Sequence, residues 1–210
     1  MDKRRDWGDA LVSIKIYVEG GGNSKALKTA CRKGFRLFFE KAGLAGRMPG
    51  IVACGGRQNT YERFSMTLAA ANDTPVLLVD AEAPVTEATR WAHLRAQDAW
   101  ERPNGATEEQ CHLMVQIMES WFLADRRALA AFYGGGFQGG ALPGNPHVEH
   151  VPKSDVLSGL ERATRTTQKG SYSKGSHGFE ILADLDPATV EDAAPHARAL
   201  LDTLRTGELP

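Results

Sequence analysis

Three cysteines in 210 residues, Cys31, Cys54 and Cys111, are too few and too scattered for a disulfide framework. None stands in a CxxC pair, so thiolate zinc sites are excluded as well, and the thiols suit packing in a reducing cytoplasm. No apolar run approaches the ~18 residues that span a bilayer. The opening "MDKRRDWGD" is charged and has no apolar core, unlike a secretory signal. Charge of one sign is missing too. The formal net charge is -1, so any contact with nucleic acid must be local rather than spread over the surface. Repeats and long low-complexity tracts are absent.

What remains is a globular composition, 42% hydrophobic and 24% charged, enough for one sizeable α/β unit and an appendage. "ALVSIKIYV" (10–18) reads as a first strand. "SKALKTACRKGFRLFFEKAG" follows with apolar residues at helical spacing, Ser24 as N-cap and Gly43 as the residue past its end. "GIVACGG" (50–56) is a second strand, "NTYERFSMTLAAA" a second helix. "TPVLLVDAEAP" (74–84) is a continuous apolar run bounded by prolines, the pattern of a central parallel strand. "CHLMVQIM" (111–118) supplies a fourth strand and "ESWFLADRRALAAFYG" a third helix. The alternation predicts a central, mostly parallel sheet flanked by helices. Residues 85–110, polar with two tryptophans, read as an insertion or lid. A Gly/Pro-rich loop from 134 begins a C-terminal helical extension, giving units of 10–133 and 134–210.

In open α/β sheets ligands gather at the carboxyl ends of the strands. Glu19 ends the first strand, and Asp80-Ala81-Glu82 ends the third. If the chain stays extended to residue 82, Asp80 and Glu82 face the same way. If strands one and three are neighbours, their tips lie ~4.8 Å apart. Like charges that close disfavour ionisation unless they share a cation, and an all-oxygen set selects Mg²⁺ or Mn²⁺. Gly20, Gly21 and Gly22 let a phosphate approach the backbone, and Arg57 in "CGGR" is a phosphate-binding candidate on the same edge. The plainer alternative makes Glu19 a helix cap and the glycines a turn. "GGGNSKA" lacks the glycine before the lysine and the hydroxyl after it that a P-loop needs. Ser173 and Ser176-His177 have no G-x-S-x-G elbow around them.

The strand ending "VEG" (Val18 to Gly20), a helix, and a later strand ending D-x-E resemble the Toprim signature D-x-D of topoisomerases, primases, small ribonucleases and overcoming-lysogenization-defect (OLD) nucleases. From "IYVEGGGNSKAL" through "ACGGR", "LLVDAEAPV", "HLMVQIMESWFLAD" and "YSKGSHG", the chain looks like an uncharacterised bacterial family of stand-alone Toprim-like proteins. That family is similar to proteins found beside AAA-type ATPases in phage-defence operons. The resemblance implies a Toprim-like Rossmannoid fold and a metal-dependent nuclease acting on DNA or RNA. It implies that Glu19, Asp80 and Glu82 bind metal or act as acid and base, with Glu119 as a further acidic ligand and Lys174 as the supporting lysine. Asn23 stands where OLD-type relatives often carry another acid, which leaves one metal or two undecided. A catalytically silent or nucleotide-binding subunit of an ATPase complex is the alternative. Helix capping by Glu119 and a solvated loop position for Lys174 are the corresponding bland roles. The sequence leaves the oligomeric state open, a homo-oligomer included.

Overall fold

The computed structural model describes residues 14–70, 73–207 and 209. Four strands, β1 (Ile14–Glu19), β2 (Gly50–Gly55), β3 (Thr74–Asp80) and β4 (Cys111–Met114), form one parallel sheet in the order β2-β1-β3-β4. Of the strand expected over 10–18, residues 10–13 lie outside the described residues. β3 is buried at every position. It lies between two strands and under two layers, which is why its sequence is apolar throughout rather than alternating.

Parallel neighbours need a crossover, and each crossover here carries a helix. α1 (Lys25–Phe39) links β1 to β2, and α2 (Arg57–Ala70) links β2 to β3. Ser24 caps α1 by accepting the Leu27 N–H, although at 3.4 Å. Ser24, and not Glu19, is therefore the cap of α1. A π-type turn (Glu40–Leu44) ends the helix, with Gly43 at φ 87°.

The third crossover corrects the expected insertion. Residues 85–110 carry α3 (Arg90–Asp98), and Trp91, Leu94 and Trp100 are buried against Leu77 and Val79 of β3 and Phe64 of α2. Polar by composition, the segment still supplies the large side chains that cover one sheet face. Trp91 Nε1 donates to the Thr107 carbonyl at 2.8 Å, and Trp100 Nε1 to Gln58 at 2.9 Å, so both rings are buried without orphaned donors.

β4 stops at Met114, four residues short of expectation, and the chain turns through residues 115–118. The expected third helix is broken into α4 (Ser120–Ala124) and α5 (Arg126–Tyr133). Asp125 leaves helical geometry and caps α5 through the Ala128 N–H at 2.9 Å. Beyond it lie α6 (Lys153–Thr164), α7 (Lys174–Asp184), α8 (Pro187–Ala193) and α9 (Pro195–Thr206). Their apolar faces join Ile16, Val18, Phe35, Phe38 and Leu78 in the larger core, on the sheet face opposite α3. That core runs without interruption across residue 134. Among the described residues, no helix is long and apolar enough to cross a membrane.

Candidate metal centre

Register sets the site. Val18 pairs with Leu78, so Glu19 and Asp80 leave adjacent parallel strands at one edge of the sheet. The Asp80 N–H donates to Glu19 Oε2 at 3.2 Å. The turn after β4 then delivers the Met118 N–H to Asp80 Oδ1 at 2.8 Å. That bond is the return for ending β4 early.

The backbone does not stay extended to residue 82. Ala81 still donates to the Met114 carbonyl, but Glu82 takes a left-handed φ of 67° while its N–H donates to the Gln116 carbonyl at 2.7 Å. A non-glycine residue held there costs on the order of 1–3 kcal/mol, and such strain clusters at functional sites. The carboxylate still arrives. One oxygen from each of Glu19, Asp80 and Glu82 lies within 4.8 Å of the others. Lys153 holds the outer side of Glu82 by an ion pair.

Arg57, expected to face a phosphate, makes its hydrogen bonds to protein. It opens α2, with Nη1 on Glu19 Oε2 at 3.2 Å and on the Asp80 carbonyl. Its Nε and Nη2 form a fork on Asp98 at 2.7 and 2.6 Å, and its guanidinium lies 5.1 Å from the Trp100 ring centre. With each of its three nitrogens engaged by protein, Arg57 fixes the Glu19 carboxylate, and only the second Nη2 hydrogen is without an acceptor among these contacts.

The glycines divide similarly. A Cβ on Gly20 would sit 3.0 Å from the Phe179 ring, and one on Gly21 2.7 Å from Lys28 Cα. Side chains there would collide with protein, while the backbones of Gly20 and Gly21, together with Gly22, line the cavity beside Glu19. Only Gly22 faces open space.

Lys174 is the first residue of α7. Its ammonium lies 3.2 Å from Asp80 Oδ2 and 3.5 Å from Glu119 Oε2. Glu119 is fully buried and does not cap α4: Oε1 accepts the Tyr172 hydroxyl at 2.8 Å, and Oε2 accepts no hydrogen bond from the described residues. A buried carboxylate oxygen short of a donor is costly without a nearby positive charge.

Electrostatics follow from burial. Removal from water pushes Asp80 up to about 7, with Glu19 and Glu119 adding to the rise against Lys174 and the Met118 amide. Burial also raises Glu19, against Arg57 and the Asp80 amide. Burial opposes the charge on Lys174, but Asp80 and Glu119 outweigh it and keep the ammonium protonated.

A cavity of about 200 Å³ opens on these groups, with Glu19, Asp80 and Lys174 at its polar end and Leu27, Met118 and Phe179 along its apolar wall. Three acids forced together, a fourth buried oxygen lacking a donor and an all-oxygen set fit a hard divalent cation. His112 is no part of this. It is buried between Arg90 and the Glu109 carbonyl, and burial first, then Arg90, pulls it down to about 3. His177 bonds Tyr133 instead, at 3.0 Å. Sequence reasoning did not find Asp98, Lys153 or Tyr172. Each acts through another side chain and carries no local motif, though Tyr172 stands two residues before Lys174.

Residues 18–205 match the model of a family described as Domain of unknown function (DUF4276), and the chain belongs to that family. No curated protein and no solved structure matches it.

Proposed function

We propose, from the Toprim-like sequence signature and the carboxylate geometry together, that the protein is a metal-dependent phosphodiesterase of Toprim type, cutting DNA or RNA. The observation that carries the reading is the approach of Glu19, Asp80 and Glu82 within 4.8 Å at the carboxyl edge of a parallel sheet. These three would hold Mg²⁺ or Mn²⁺, with Glu119 adjoining through Asp80 and Lys174. When bound, such a cation supplies Lewis acidity at a phosphoryl oxygen and lowers the pKa of water.

The chain's own groups have separable roles. Arg57, braced by Asp98, keeps the Glu19 carboxylate turned toward Asp80. Lys174, kept charged by Asp80 and Glu119, offsets the negative charge that builds on the phosphoryl oxygens in the transition state. Burial raises the proton affinity of Glu19 in the metal-free fold, so a cation bound there would compete with protons for its carboxylate. The apolar wall of Leu27, Met118 and Phe179 excludes water from one side.

The Toprim resemblance also supports an effector role in phage defence beside an AAA-type ATPase, which co-purification of the two tests. The enzymatic claim has its own test. With Mg²⁺ or Mn²⁺ the purified protein should nick plasmid DNA or cleave RNA, and Glu19→Gln or Asp80→Asn should lower the rate at least ~100-fold. Variants that cut as fast as the wild type would exclude this active site.

A further inference from the structure

Helix α1 carries a charge imbalance that the metal site does not use. Between Lys25 and Phe39 it holds five cations and no carboxylate, in a chain whose net charge is -1. Lys25, Lys28, Arg32 and Arg36 stand at i, i+3, i+7 and i+11, which places them along one face of the helix. The opposite face is committed. Cys31, Gly34, Phe35, Phe38 and Phe39 are buried on the side that packs on the core, whereas Lys25, Arg32 and Arg36 are exposed and Lys28 is half-buried at the border between the two.

The stripe is also unneutralised. Among the described residues, Lys25, Lys28, Arg32 and Lys33 enter no ion pair, and only Arg36 has one, with Glu40 at 2.9 Å. The other contact is neutral, Arg32 Nη2 donating to Thr29 Oγ1 at 2.9 Å. Self-repulsion among the cations that enter no ion pair favours binding an extended anion.

Position connects the stripe with the cavity. α1 begins directly after Gly20–Gly22, which wall the cavity, and Lys28 packs against that wall. A Cβ on Gly55 would come within 3.4 Å of Lys28 Cε. From Lys25 to Arg36 the stripe extends about 16 Å away from the site. Duplex nucleic acid presents a charge every ~1.7 Å along its axis, so this length spans several phosphates.

We propose that the exposed face of α1 is a track for the phosphate backbone of a polynucleotide, leading it to the carboxylate site. The inference rests on the phosphodiesterase reading for the destination of the strand, whereas the track itself is read by binding alone. It makes contact with phosphates and not base edges, so it adds affinity without sequence preference.

The test uses the full chain carrying Glu19→Gln, which removes cleavage, and fluorescein-labelled 30-base-pair DNA and RNA duplexes of one sequence. Anisotropy is followed from about 50 to 200 mM salt. Adding Lys25→Gln, Lys28→Gln and Arg32→Gln should weaken binding to the preferred duplex at least ~10-fold at low salt and reduce the salt slope by about 2 to 3. Arg198→Gln, an exposed cation on α9, should leave the slope unchanged. The DNA and RNA arms show which polymer is preferred. A triple variant with the parental slope overturns the track, as does a parent protein that binds neither duplex at low salt, or one that prefers phosphatidylserine vesicles to both. Failure of the nuclease reading looks different: there Glu19→Gln leaves cleavage intact whatever the duplex titration gives.

Discussion

Asp80 concentrates the chemistry of the site. Its ordinary pKa of 3.8 is lifted to about 7, chiefly by burial, so the metal-free fold binds the proton more tightly than the unfolded chain does. Stability without metal is therefore greatest below the unfolded value, near pH 4, and declines until about pH 7, where Asp80 ionises in the fold. Relative to Asp80→Asn, the melting temperature of the metal-free wild type should fall as pH rises from roughly 5 to 8. Because a cation needs the ionised carboxylate, the melting-temperature gain given by Mn²⁺ should grow over the same window. Thermal melts of both proteins, with and without Mn²⁺, check this; a difference independent of pH would show that Asp80 does not titrate there. The acids Glu19, Asp80 and Glu82 were legible because each sits at or beside the end of an apolar run. Their partners were not. Asp98 meets Arg57 across 41 residues and Tyr172 meets Glu119 across 53, distances over which periodicity carries no information. Glu82 shows the same limit: its carboxylate reaches the site through a left-handed backbone, not the extended one that the alternation of side chains assumes.

The elements were read best where one physical demand dominated. β3, apolar throughout, is the fully buried strand that this pattern predicts, and α1 follows its N-cap and apolar stripe. The segment 85–110 is polar by composition although its few large residues, Trp91 and Trp100, do the covering, so composition alone does not reveal its burial. The end of β4 is not visible in the sequence, because Val115, Ile117 and Met118 are apolar whether in a strand or a buried turn. Helix packing explains a glycine that neither propensity nor pattern accounts for. Gly34 lies inside α1, where glycine costs up to about 1 kcal/mol relative to alanine. A Cβ there would stand 2.6 Å from the Phe179 carbonyl oxygen and 3.1 Å from its Cβ, so α1 and α7 approach through this residue. Gly34→Ala should therefore lower stability by on the order of 1–3 kcal/mol in urea denaturation, despite the better helix former. The same change should slow cleavage, because α7 carries Lys174. A variant as stable as the wild type would mean that the two helices do not meet this closely.

At the scale of the molecule, the candidate site exists because three separate parts of the fold end at one place. The parallel order β1-β3-β4 sets Glu19 beside Asp80 and turns the chain after Met114 so that the Met118 amide meets Asp80. The smaller core under α3 positions Asp98 and Trp100, and through them Arg57. The larger core docks α7 on α1 and brings Lys174 over the strand ends. Composition could announce an α/β sheet with helices after it, but not that the C-terminal helices share the sheet's own core. The central claim is that this convergence holds a divalent cation. A crystal of the wild-type protein soaked in Mn²⁺, with data collected for anomalous scattering, tests it most directly. The account predicts an anomalous peak bonded to carboxylate oxygens of Glu19 and Asp80; a Mn²⁺-saturated crystal with those carboxylates well ordered and no peak between them would contradict it.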